Sequence, residues 1–515
     1  MSGSGDGRRR RPALLGMRGG HSLGHGVLSS ATYGILSMLA GLALLPIVID
    51  RVGAAPYGIW LLISSLTSYL YQADLGMGAA IVHFLARDRE RTDVEERTRL
   101  VTAGFAWMNG AAAVALPLYL AFAILLVHGK SGAHLTGADQ VTLVGLGGLL
   151  VALLGFRAFP SALQGTGHWV FERSTQIVGV VVRVVGTLLG CYVVRGIVPV
   201  AIAEALADLV PMVLATAACL RLGLRPRRLR SVTRAQLRML LSYSVRAFTV
   251  GAMAAILLQA DTLIVGIVAS AAAVTYYTAG FRVYSGIRQL LSWLTDPLLP
   301  SLSRLFATDR EAARSMTLGM LFVSLWTAAW ACGTIIVGAR FLVRVWLGDS
   351  VPTDRVSAVI AILLVGLIVN SVHIAGIAAT DASGRPGAFL ALHMVWCASN
   401  LVLSVVLGVT IGIAGVAVGT TVPLLVLEPF YVRRMTQTLH FRVIDWWRAC
   451  LRPTCISLAA AVVAALAVAA ALSRAPWHTG LAGAAAFALG YAASAALQRR
   501  RFPTRHLATA AAARM

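Results

Sequence analysis

Residues 357–379 read SAVIAILLVGLIVNSVHIAGIAA, 23 residues without one Asp, Glu, Lys or Arg. The hydrocarbon core of a bilayer is about 30 Å thick and is crossed by about 20 apolar residues in a helix, so this stretch predicts a transmembrane span. It carries Asn370 and His373 into the membrane. Similar runs lie upstream near 25–49, 57–85, 100–127, 141–163, 174–194, 197–220, 240–269, 274–302 and 316–338, and downstream near 387–410, 412–432, 454–473 and 480–497. The expected fold is an all-α membrane protein of about 14 transmembrane helices.

Composition agrees. Of 515 residues 58% are hydrophobic and 13% charged, with a mean hydropathy of +0.78, which departs far from a soluble globular chain. The formal charge of +23 would suit a phosphate backbone, but the basic residues sit in short clusters between the apolar runs, as juxtamembrane loops do, so no nucleic-acid partner is expected. When alternate loops are assigned to opposite sides, 32 of the 44 basic residues fall on one side with both termini, seven fall on the other and five lie within spans. The positive-inside rule then makes both termini cytoplasmic. Only Lys130 among the 44 is a lysine, an arginine bias that suits a GC-rich bacterial genome and hence the inner (plasma) membrane. Arg8 to Arg11 and Arg18 precede a first run too long for a signal peptide, which reads as an uncleaved span. Cys191, Cys219, Cys332, Cys397, Cys450 and Cys455 lack metal or disulfide spacing. No cofactor is expected.

Val-Gly-Ala-Ala-Pro-Tyr-Gly at 52–58 and Ala-Ala-Ala-Val-Thr-Tyr-Tyr-Thr-Ala-Gly at 271–280 are each followed by a basic loop and a further span. This spacing relates spans 1–6 to spans 7–12 as a parallel repeat, an arrangement that puts a transport site between two lobes. The expected organisation is a basic tail (1–24), an N-lobe (25–220), a basic loop (221–239), a C-lobe (240–432), an extra helix pair (433–497) and a second tail (498–515). The basic loop reads as a topology determinant or as a segment lying on the anionic leaflet.

The chain resembles the polysaccharide flippase branch of the multidrug, oligosaccharidyl-lipid and polysaccharide exporter superfamily. The residues that carry the resemblance are Tyr57-Gly58, Asp74-Leu75-Gly76-Met77-Gly78, Asp261 to Gly266, Tyr277 to Arg282, Pro297 and Pro300. It implies two six-helix lobes in a V that export lipid-linked oligosaccharides by alternating access. The extra pair is similar to that of lipid II flippases.

An ionisable side chain at the bilayer centre costs about 2.5–3.5 kcal/mol on insertion scales, so it should face protein or water. Arg157, Arg183, Arg246, Arg282 and Arg288 fall within spans. Arg157 and Arg246 lie near a cytoplasmic end, within snorkelling reach. A guanidinium replaces the hydration of a pyrophosphate with bidentate charge-assisted bonds. Arg288 is the first candidate for that task, because Tyr284, Phe281 and Tyr277 precede it at helical spacing and form a face suited to stacking on sugars. Satisfaction of Arg282 and Arg288 by buried acids is the competing reading. Arg183 sits at the depth of Asp208, with Glu204 one turn away, which predicts an ion pair ahead of ligand binding. Asp74 and Asp261 are candidates for proton or sodium coupling or for gating, as are Glu204 and Asp208. His373 serves either as a helix-to-helix hydrogen bond or as a proton relay, with His393 and Asn400 near it, and Glu428 beside Pro429 marks a place where the helix opens.

No P-loop, H-E-x-x-H, G-x-S-x-G or Rossmann fingerprint stands in a fitting context, so a non-enzymatic transporter is expected. The reading is a flippase for an undecaprenyl-diphosphate-linked glycan, working in membrane lipid and beside other glycan-assembly proteins. The alternatives are a cation-coupled multidrug exporter of the same superfamily and a membrane glycosyltransferase or polymerase.

Overall fold

The computed structural model describes residues 23–87, 93–128, 135–226, 233–385, 387–472 and 476–498, and for a few of these, chiefly 245–259, the backbone alone. Both tails, residues 227–232 of the basic loop and the side chain of Arg246 lie outside the described residues. All regular structure among the described residues is helical.

The first half contains α1 (Leu23–Arg51), α2 (Ala54–Leu70), α3 (Met77–Arg87), α4 (Val94–His128), α5 (Gly137–Ala152), α6 (Ala158–Gly165), α7 (Trp169–Leu189) and α8 (Ile197–Arg221). The second contains α9 (Arg234–Val268), α10 (Ala271–Thr295), α11 (Leu299–Thr308), α12 (Arg310–Val337), α13 (Ala339–Leu347), α14 (Thr353–Ala382), α15 (Leu390–Ile411) and α16 (Ile413–Leu439). The short α17 (Val443–Trp446) leads into α18 (Arg452–Ala471), which pairs with α19 (Pro476–Gln498) and leans with it on α12. Each apolar run of the sequence carries a helix or a helix pair. Among the described residues, ten helices are long and apolar enough to cross a membrane, or eleven if the α5–α6 pair, bent by 49°, is one span.

Run two breaks between α2 and α3 because Leu75 (φ 52°) and Gly76 (φ 77°) turn left-handed, a conformation that costs glycine little. Run eight breaks at Pro297 and Pro300, which open the short helical turn at 296–298 and α11. The stretch near 339–356, expected as a loop, contains the amphipathic helix α13, with Ala339, Val343 and Leu347 buried on one face. Helix starts are capped by side chains. Thr233 and Gln236 form a capping box, Ser270 accepts from the Ala273 N–H, and Asp309 accepts from those of Glu311 and Ala312.

Large side chains such as Leu125, Val141, Val193 and Leu489 are exposed on the outer faces of helices, where lipid replaces water as solvent. One core runs across both halves. It takes Tyr57, Trp60 and Leu62 from α2, Ile264 and Val265 from α9, and Tyr277 and Ile287 from α10. Cys191, Cys219, Cys332 and Cys450 are buried, whereas Cys455 is exposed.

Candidate functional site

The halves are joined by a polar bridge. Arg282 on α10 donates from Nη2 to the Tyr57 hydroxyl at 2.9 Å and from Nη1 to the Gly41 carbonyl of α1. Tyr57 in turn donates to Glu204 Oε1 of α8 at 3.1 Å, and Trp60 Nε1 donates to Glu204 Oε2 at 2.6 Å. Thr275 donates to the Ala54 carbonyl at 2.7 Å beside it. Arg282 therefore reaches Glu204 through a tyrosine hydroxyl, and every carboxylate oxygen of Glu204 is used. The sequence singled out both ions but gave Tyr57 and Trp60 no role in joining them, because hydroxyl and indole partners across helices leave no local signature.

Arg183 on α7 lies 3.6 Å from Asp208 on α8, with Asp208 half-exposed. Glu204 is one turn from Asp208 on the same face. Further along, the Arg157 guanidinium sits 4.4 Å from the Tyr71 ring centroid, and that of Arg173 sits 5.7 Å from the Tyr33 ring. Arg183, Asp208 and Glu204 thus form a cluster of one cation and two acids in the first half. Arg183 is engaged with Asp208 in this state, so binding an anion there requires it to exchange partners.

The aromatic face of α10 differs from expectation. Tyr277 is 0% exposed and Tyr284 4% exposed, and Phe281 packs between their rings at 6.5 and 5.5 Å. Tyr277 donates to Asp261 Oδ2 at 2.6 Å. Tyr277 and Tyr284 are thus packed away and present no ring for stacking on sugars, while Phe281 is partly exposed. The cause is Asp261, 1% exposed on α9, which also accepts from Thr420 at 2.6 Å and Ser404 at 3.4 Å, while Asn400 donates to Thr420 at 2.9 Å. No ion pair joins Asp261 to a described cation. Thr420 and Ser404 escaped the sequence reading because hydroxyls in apolar helices usually bond their own backbone.

Asp261→Ala would strand the Tyr277 hydroxyl, at about 1–3 kcal/mol, whereas that of Thr420 keeps the Val416 carbonyl at 3.3 Å. Asp261→Asn, with its carbonyl toward them, would retain most of the stability. Thermal unfolding of the two purified variants in detergent is the measurement, and equal midpoints would show that the Tyr277 hydroxyl finds another partner.

Arg288 keeps its position as a candidate. It is half-buried and forms no hydrogen bond or ion pair with another described residue, and its field reaches Tyr284 and His373. His373, 4% exposed on α14, meets His393 of α15 at 2.8 Å between Nε2 atoms and packs its ring 3.9 Å from Tyr431. Glu428 on α16, 8% exposed, has no hydrogen-bond partner among the described residues at either carboxylate oxygen and lines an apolar groove of about 870 Å³ between α14, α16 and α18.

Asp74 has a local task. Its Oδ1 accepts from the Gly76 N–H at 2.8 Å and its Oδ2 from the Gly78 N–H at 3.3 Å, so it caps the start of α3 at the break in run two. Asp74→Asn keeps an acceptor for the Gly76 N–H alone, so it is expected to lose less stability than Asp74→Ala, which loses about 1 kcal/mol, and to retain transport; thermal unfolding and sugar exposure are the readouts. Loss of transport in a stable Asp74→Asn protein would restore the carboxylate to a coupling role.

A family model described as "Polysaccharide biosynthesis protein" matches residues 23–306. No curated protein sequence matches the chain. Among solved structures, the lipid II flippase MurJ in its inward closed conformation is similar at TM-score 0.72 and 14% identity, over 92% of this chain and 99% of that one. An inward-facing multidrug resistance MATE family transporter of the MOP superfamily is similar at TM-score 0.62 and 14% identity, over 80% and 98%. A MOP superfamily transporter from Pyrococcus furiosus, described as having a binding pocket of reverse polarity, follows at TM-score 0.51 and 15% identity, over 80% and 96%. At such identities the likeness is one of fold. Since the family model spans more than half of its length, from the first helix through the bridged α10, this chain belongs to the polysaccharide biosynthesis protein family and has the fold of the MOP superfamily transporters.

Proposed function

We propose that this protein is a flippase that carries a lipid-linked oligosaccharide, of the undecaprenyl-diphosphate kind, across a bacterial inner membrane by alternating access. The observation that carries this reading is Arg288, a half-buried guanidinium inside the bundle with no carboxylate to neutralise it among the described residues. Such a cation is costly at membrane depth unless an anion completes it, and a diphosphate offers the bidentate acceptors that a guanidinium matches. Arg282 and Arg183 supply further positive charge once they leave Tyr57 and Asp208. The lipid tail stays in the bilayer, and the headgroup enters from the side of the basic loops, which is the cytoplasmic side with both termini. Asp261, Glu204 and Asp208 serve as coupling or gating acids between states. The organisation into two lobes and an extra pair, with the boundaries given above, belongs to the same proposal.

The test is the full-length protein in liposomes loaded with a fluorescent lipid-linked oligosaccharide on one leaflet, with sugar exposure followed by lectin accessibility. Protein-dependent exposure is expected, and none above empty liposomes would reject the reading. A cation-coupled exporter is the second reading, favoured by the buried carboxylates of Asp261 and Glu428. Efflux of a lipophilic cation without sugar exposure would select it.

A further inference from the structure

The two histidines of the second half were separate features of the sequence, 20 residues apart, and the structure joins them. Nε2 of His373 and Nε2 of His393 lie 2.8 Å apart, a distance that requires one proton between them. One ring donates and the other accepts. His373 is deeply buried, and its Nδ1 has no partner among the described residues, whereas His393 is half-buried near the start of α15 and is the more accessible ring. With His393 as donor, its Nδ1 is bare and is the atom on which a second proton settles, leaving a cationic pair held by the same hydrogen bond.

The surroundings decide when that proton binds. From α10 comes Arg288, whose positive field reaches His373, together with Tyr284. From α16 come the Tyr431 ring, 3.9 Å from His373 and 5.6 Å from His393, Glu428 one turn before it, and Arg434 one turn after it, which donates to the Ala388 carbonyl ahead of α15 at 3.3 Å. From α12, Ser324 donates to the Ser371 carbonyl, two residues from His373, at 2.8 Å. α11 contributes an exposed Arg304. α13 meets α14 at the opposite end, through Arg340 and Asp354. α9, packed on α15, contributes Asp261, which is engaged by Ser404 three turns away from His393. The unliganded site therefore sets a cation, Arg288, against a second positive charge on the histidines. A dianion bound at Arg288 reverses that field.

We propose that the His373–His393 pair is a proton site that fills as a diphosphate headgroup binds beside Arg288, so that the headgroup travels with one proton. This rests on the flippase reading and adds the identity and place of a co-bound ion. The proton comes from water on the basic side, settles on the histidine pair, and leaves when the headgroup does. No covalent bond changes. Because binding linkages are reciprocal, acid must tighten headgroup binding by the same factor that the headgroup favours protonation. One proton carried with a dianion leaves one net negative charge, and an inside-negative membrane potential drives that charge outward.

The test is titration calorimetry of the full-length protein in nanodiscs. The probe is a short-chain polyprenyl-diphospho-sugar, whose diester phosphates stay ionised across the histidine range of about pH 5–8. Measurements in buffers of different ionisation enthalpy count the protons taken up. The expected result is an affinity that rises toward acid by up to tenfold per pH unit, with uptake approaching one proton. His373→Gln and His393→Gln should bind with flat pH dependence, while Glu428→Gln retains the slope. Should His373→Gln fail to fold, His393→Gln at the more accessible ring and the wild-type proton count still decide. Binding without proton uptake in the wild type overturns the proton site and leaves the flippase reading standing, as does a slope that survives both histidine changes or that Glu428→Gln alone removes. Absence of probe binding at every pH overturns both.

Discussion

Arg288→Ala is expected to reach the membrane at wild-type abundance and to lose export by roughly a hundredfold or more. Charge-assisted hydrogen bonds are worth about 1.5–3 kcal/mol each, and a guanidinium holding a diphosphate makes two. Stability should be nearly unchanged, because Arg288 bonds to no other described residue and its removal strands none of them. Arg288→Lys retains the charge without the planar fork, so an intermediate rate is expected. The measurements are sugar exposure in liposomes for transport and immunodetection for abundance. Normal glycan output from Arg288→Ala would take the residue, and with it the proposed headgroup path, out of the mechanism.

The second large effect is expected at Gly58, where α2 and α10 touch. A Cβ added at this position would lie 1.8 Å from the Ala271 carbonyl oxygen and 3.1 Å from Thr275 Oγ1. A backbone carbonyl cannot swing aside as a flexible side chain does, so Gly58→Leu is incompatible with this packing of the two halves. The neighbouring Tyr57–Arg282 and Thr275–Ala54 bonds form only when the surfaces meet. An alternating-access cycle that includes this state must stop in the variant, and export should fall to background while the protein persists in another arrangement. A disulfide between cysteines at Ala54 and Thr275 reports the contact. It should form readily with Gly58 and fail to form in Gly58→Leu. Efficient cross-linking with normal transport in Gly58→Leu would mean that the contact is dispensable.

Residue by residue, the sequence carried the ions further than the hydroxyls. Arg183 and Asp208 could be set at one depth by counting along two adjacent spans, because helical rise is fixed and the membrane aligns the ends. The tyrosines of α10 misled for a related reason. Their spacing showed that they share a face with Arg288, but spacing says nothing of what that face meets, and it meets Asp261. Asp74 likewise stood out as a charge in an apolar run, when its partners are the N–H groups two and four residues ahead of it.

The sequence by itself determined that the chain is helical and lies in lipid, where its long apolar runs form helices and which loops gather the arginines. These follow from hydropathy and charge read over about 20 residues, a local property. Only the tertiary structure decided which polar groups meet: Arg282 with Tyr57 and Glu204, Asp261 with Tyr277 and Thr420, His373 with His393, Gly58 with Ala271. In a membrane helix the lipid-facing side is as apolar as the packed side, so the pattern that marks the buried face of a soluble helix is absent. Partners are then fixed by packing between helices far apart in the chain.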